Sequence, residues 1–127
     1  MYQENGGFMK PDYNEIGIDY DELLERLMRD EKLMNRVFKK FLNDQTFAHL
    51  QKSYNNNNHP DYHSLMMNLH TLKGLAANFS MKELYSITNT WLMNLRDGNF
   101  ETNEQLYQRC LEEYTKISQG LTKIFSE

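Results

Sequence analysis

Beyond residue 18 the apolar residues recur every three or four positions, and long stretches run without a glycine or proline. This is the period of helices that bury one face. No alternating strand pattern and no internal repeat interrupts it. Residues 1–17 differ: they are polar and carry Gly6, Gly7, Pro11 and Gly17. The pattern predicts a loose, flexible N-terminal tail over 1–17 and a single helical domain over 18–127.

Local signals divide the domain. Asp19 can cap a short first helix carrying Leu23, Leu24 and Leu27. Asp30 can cap a longer helix with Leu33, Val37, Phe38 and Phe41 on one side, ending near Tyr54. The run NNNNHP, residues 55–60, reads as a loop, with Pro60 suited to the first turn of the next helix. That helix carries Tyr62, Leu65, Leu69, Leu72, Ala76 and Phe79, the spacing of a bundle seam. Ser80 with Glu83, and Thr102 with Gln105, have capping-box spacing and predict two further helix starts. The first of these helices holds Leu84, Ile87, Trp91 and Leu95, and stops at RDGN with Gly98 just past its end. The last holds Leu106, Cys110, Tyr114, Ile117, Leu121 and Ile124, with Gly120 inside it.

Four long helices with short connections predict an all-α fold: an antiparallel up-down-up-down four-helix bundle, with the short extra N-terminal helix as a lid over one end. A bundle that buries its own seams is expected to be a monomer.

Composition narrows the function classes. Hydrophobic residues at 39% and charged residues at 25% are ordinary for a soluble globular chain. The net charge is −4 and the 14 Lys and Arg are scattered, so no nucleic-acid partner is expected. The N-terminus has neither a basic n-region nor an apolar run, and no segment approaches a membrane span. A cytoplasmic protein is the expectation, and the starting Met with its short tail leans towards a free-standing one. Cys110 is the single cysteine and falls on an apolar stripe, which excludes an internal disulfide or a CxxC site.

The chemistry concentrates in LHTLKGLAANFS, residues 69–80. Gly74 weakens this helix by about 1 kcal/mol relative to alanine. Leu65, Leu69, Leu72 and Ala76 set the core direction, and His70 points about 130° away from it. Lys73 and Gly74 are its i+3 and i+4 neighbours. An exposed imidazole thus stands beside a cation, with a glycine leaving it uncovered. A neutral imidazole is a competent nucleophile near neutral pH. In phosphoryl transfer the protein mainly positions groups and stabilises charge. Lys73 can face the phosphoryl oxygens, and open access lets a donor approach in line. Taken alone, an exposed helical histidine is usually just a surface residue, and HxxKG is a short motif.

The surrounding residues carry more. HTLKGLAAN, residues 70–78, resembles the core motif of the histidine-containing phosphotransfer (HPt) domain of two-component phosphorelays. GIDYDELLERLMRDEKLMNRVFKKFL, residues 17–42, is similar to that family's opening, and Leu84, Ile87, Trp91 and RDGNFE to its fourth-helix end. The resemblance covers residues 17–126 and implies a four-helix bundle with an extra N-terminal helix. It implies that His70 is the phosphoacceptor, that Lys73 supports phosphate charge and that Gly74 gives access. The implied function is a phosphorelay intermediate, signalling by phosphohistidine. It takes a phosphoryl group from a receiver-domain aspartate and passes it to another receiver, of a response regulator or hybrid histidine kinase. No glycine-rich nucleotide loop is present, so it is expected to be no autokinase and no enzyme in its own right. No cofactor or metal is expected on this chain, and Mg²⁺ would belong to the partner receiver.

The chain departs from the family at two places. Ser80 stands where the family often has glycine, and the capping box offers a reason. Leu92 matches a position where the family often has Gln or Glu, so Asn89, one turn earlier, becomes the candidate to support the imidazole. The partner-binding surface is expected around His70, on Met66, Met67, Ala77 and Asn89, with Leu75 on the far flank.

Two other functions compete. One is a bundle of the same fold that docks receivers without phosphotransfer. The other is a metal or haem bundle using His59, His63 and His70 with Met66 and Met67. Against it, no Glu lies three residues before any of the four histidines, as di-iron bundles require, and one cysteine forbids a CxxCH haem site.

Overall fold

The structure is a computed structural model that describes residues 10–126; residues 1–9 of the expected tail and Glu127 lie outside it. The described residues form helices α1 (Lys10–Glu15), α2 (Tyr20–Arg26), α3 (Glu31–Asn43), α4 (Thr46–Tyr54), α5 (Tyr62–Asn78), α6 (Lys82–Arg96) and α7 (Asn103–Ser126), with no strand among them. Helix α4 packs on α5, α5 on α6, α6 on α7, and α7 on α3. Leu23, Phe38, Leu50, Leu65, Leu69, Leu72, Ala76, Leu84, Trp91 and Cys110 meet in one core with no exposed surface. None of the described helices is long and apolar enough to cross a membrane.

Several starts and stops follow from the caps read in the sequence. Asp19 accepts from the Glu22 amide at 3.1 Å and Asp30 from the Leu33 amide at 3.0 Å. At the end of α6, Gly98 takes a φ of +76°. Its amide donates to Leu95 O, and the Asn99 amide donates to Asn94 O at 2.8 Å. These two bonds are a Schellman end, which needs a left-handed residue at that point.

Elsewhere the structure corrects the expectation. From Lys10 on, the expected tail is folded. Tyr13 is buried, stacked on Phe38 with ring centroids 5.2 Å apart and set against Tyr20 at 5.1 Å. The long helix expected over 31–54 is broken at Asp44, whose backbone is extended. Asp44 turns the chain by accepting the Thr46 amide at 2.8 Å, a local bond that competes with the helix. Pro60 does not open α5: Asp61 caps it, accepting from the Ser64 amide, and Tyr62 is its first residue.

The capping box at Ser80 is absent. Met81 is the N-cap of α6 and makes no side-chain cap bond. Ser80 instead sits at φ +55°, and its hydroxyl donates to Glu22 Oε1 at 2.8 Å. Its carbonyl receives the Asp19 amide, so this residue ties the start of α2 to the α5–α6 turn. The Thr102 hydroxyl likewise serves another contact, accepting from Asn94 Nδ2 at 2.9 Å.

Gly120 also finds its reason. Ile16 lies against it so closely that a Cβ there would stand 2.5 Å from Ile16 Cγ2. The end of α1 is thereby seated on α7.

Candidate functional site

His70 lies midway along α5. Leu65, Leu69, Leu72 and Ala76 bury the opposite side of that helix, and the imidazole is exposed. Among the described residues it has no hydrogen-bond or ion-pair partner. A Cβ on Gly74 would meet nothing within 4 Å, so this glycine borders open space and relieves no helix contact. It is the one interior glycine of α5, and it is exposed.

Lys73 is half-buried. Its ammonium donates to Asn89 Oδ1, across on α6, at 3.4 Å. Asn89 Nδ2 in turn lies 3.6 Å from Met93 Sδ. The sequence offered Asn89 as a support for the imidazole; its amide is engaged with Lys73 and Met93.

An open groove runs beside the imidazole between α5 and α6. His63, Met67, His70 and Thr71 line it from α5, and Leu92 and Arg96 from α6, with Met66 at its base. Leu92 is fully buried, so the groove has an apolar floor. Met66 is half-buried and packs on the core, whereas Met67 is 60% exposed.

Ala77 is not part of this groove. It lines a neighbouring hollow with Glu22, Arg26, Ser80, Lys82 and Tyr85, where α2 meets α5 and α6. Lys82 is held there by Asp19 at 3.2 Å and Glu22 at 3.1 Å. Leu75 is half-buried and packs against the core.

The structure therefore brings His70, Met66 and Met67 together, and joins Lys73 to Asn89. It adds Arg96 to the groove and Met93 beside Asn89, and sets Tyr85 in the neighbouring hollow with Ala77; all three are exposed, and the sequence did not single them out as site residues. A signal for them existed. Positions 85, 89, 93 and 96 recur at helical spacing and fall outside the Leu84, Ile87, Trp91 and Leu95 seam.

Other reactive groups stand apart. Burial pushes the Cys110 thiol up to about 12, and the Glu113 carboxylate nearby adds to this. His59 precedes α5, close to Pro60 O. Among the described residues no three His, Cys, Asp or Glu side chains are grouped so as to hold a metal ion.

No family model, curated protein or solved structure matches this chain.

Proposed function

We propose that this chain is an HPt-type phosphorelay intermediate, with His70 as phosphoacceptor. The observation that carries the reading is the setting of His70: an exposed, unpartnered imidazole, with a half-buried lysine one turn on and a glycine bordering open space. In this reading α3 with α4, α5, α6 and α7 are the four members of an antiparallel up-down-up-down bundle, and α2 is the extra N-terminal helix. Ser80 adds support. The family often has glycine there, and a φ of +55° is a conformation that glycine adopts at least cost.

The transfer step balances simply. A ring nitrogen lone pair of His70 attacks the phosphorus of a receiver's aspartyl phosphate. The N–P bond forms as the acyl P–O bond breaks, and the carboxylate leaves with the electron pair. The other ring nitrogen gives its proton to water. Lys73 faces the phosphoryl oxygens, and Gly74 lets the receiver's acidic pocket close over the imidazole. Passing the group to a second receiver is the reverse reaction. The chain needs no cofactor of its own, and Mg²⁺ sits on the receiver. It acts as a cytoplasmic monomer and neither binds nucleotide nor phosphorylates itself.

The test is transfer from a phosphorylated receiver to wild type and to His70→Gln. Label on wild type that is acid-labile, alkali-stable and lost in the variant supports the relay. The partner surface has its own check: Met67→Asp is expected to weaken receiver binding in calorimetry without lowering the melting temperature.

One observation favours a second reading. Leu92 is an apolar floor and the Asn89 amide serves Lys73, so α6 gives the imidazole no hydrogen bond. A bundle that docks receivers without chemistry would look like this. Normal receiver binding with no label on wild type would select it.

A further inference from the structure

Five cations among the described residues pair with carboxylates, and half-buried Lys73 is not one of them. Lys82 pairs with Asp19 and Glu22, Arg109 with Glu83 at 3.2 Å, and Lys116 with Glu113 at 3.0 Å. Among the described residues Lys73 has no carboxylate partner. Its ammonium meets only the neutral carbonyl oxygen of Asn89, at 3.4 Å. The amide can present that oxygen in one orientation only, since its NH₂ end would set donor against donor. The contact of Asn89 Nδ2 with Met93 Sδ, 3.6 Å away, holds the amide in that orientation.

A carboxylate in place of this amide would anchor the ammonium more firmly but would also neutralise it. An alkyl side chain would leave the four-carbon stem of the lysine free to swing into solvent. The amide avoids both: it gives direction and keeps the charge. We propose that Asn89 is a positioning residue for phosphoryl transfer at His70, holding the Lys73 ammonium on the α5–α6 face while leaving its charge to the incoming phosphoryl oxygens. The proposal rests on the phosphotransfer reading and extends it across to α6.

The experiment uses phosphoramidate, a small phosphoryl donor that needs no receiver, and follows label on His70 by mass and by acid lability. Asn89→Leu is expected to slow labelling about fivefold, the kinetic equivalent of one partly exposed charge contact. In a Lys73→Met background the same substitution is expected to add nothing, because its effect runs through the lysine. Asn89→Asp keeps the shape of the side chain and guards against loss of folding in the leucine variant. It is expected to slow labelling at low salt, with the deficit shrinking as salt screens the new ion pair. A purely structural role would show neither the dependence on Lys73 nor the salt dependence.

Equal slowing by Asn89→Leu with and without Lys73, or no slowing by either variant, overturns the role of Asn89 while leaving phosphotransfer intact. A wild type that takes no label from phosphoramidate or from a phosphorylated receiver overturns both.

Discussion

Ile16 packs on the bare backbone of Gly120, where an added Cβ would stand 2.5 Å from Ile16 Cγ2 and 2.8 Å from Cδ1. Ile16 is β-branched and so has little rotamer freedom with which to yield. Gly120→Ala gains about 1 kcal/mol of helix propensity. Overpacking of this kind costs about 1–3 kcal/mol. The clash is deep, so the expected net effect is destabilisation, read as a lower urea midpoint. In an Ile16→Ala background the penalty should shrink, since only the residue-16 Cβ remains, at 2.9 Å. A higher midpoint for Gly120→Ala in the wild-type background would show that α1 is not seated there.

Ser80 bears two opposing effects. Its φ of +55° costs a residue with a Cβ about 1–2 kcal/mol. Its hydroxyl bond to Glu22 offsets this by about 1 kcal/mol. Ser80→Ala loses the bond and keeps the strain. Ser80→Gly loses the bond and relieves the strain, though the unfolded chain gains freedom. The glycine variant should therefore be the more stable of the two by about 1 kcal/mol. Equal urea midpoints would mean that the left-handed backbone carries no strain.

These two positions mark where the sequence was and was not legible. The α5 seam could be read because Leu65, Leu69, Leu72 and Ala76 repeat at helical spacing and all reach the core. Gly98 could be read because a helix end asks for a left-handed residue. The break at Asp44 could not, because no glycine or proline marks it. Asn43 bonds back to Lys39 O, while Asp44 takes the Thr46 amide, and such local bonds are available to any Asn or Asp. Helix α1 was hidden because Tyr13 is buried by Phe38 and Tyr20, contacts that arise only in the folded chain. At the site, His70, Lys73 and Gly74 share one helix and were visible together. What faces them depends on the register of α6 against α5, so the contact of Asn89 with Lys73 needed the structure, although the outward face of α6 was legible in its spacing.

Asp19 links folding to acidity. The Glu22 amide it accepts, with Lys82 beside it, holds its carboxyl below the ordinary aspartate range. A depressed folded-state value means that its contribution is present above the unfolded value, about 3.9, and is lost as pH falls through the lower folded one. Asp19→Asn retains a good N-cap but cannot titrate. The variant should be slightly less stable than wild type at pH 7 and should lose less stability between about pH 5 and pH 2. Melting temperatures across that range are the measurement. Parallel curves for the two proteins would remove Asp19 from the acid response.

On the proposed reading, Gly74 separates access from chemistry. Because its Cβ direction is open, Gly74→Ala should stabilise α5 by about 1 kcal/mol, raising the melting temperature. A longer side chain should keep most of this gain, and Gly74→Met uses a good helix former for that reason. On the proposed reading, that side chain obstructs a receiver domain, which must close over the whole face of α5 around His70. It does not obstruct phosphoramidate, which needs only the imidazole edge. Transfer from a phosphorylated receiver should therefore fall at least tenfold in Gly74→Met, about 1.4 kcal/mol of lost transition-state stabilisation. Labelling by phosphoramidate should stay within about twofold of wild type, below 0.5 kcal/mol. If both rates fell together, the glycine would act on the imidazole itself; if neither fell, the receiver would approach from another side and the docking face would lie elsewhere.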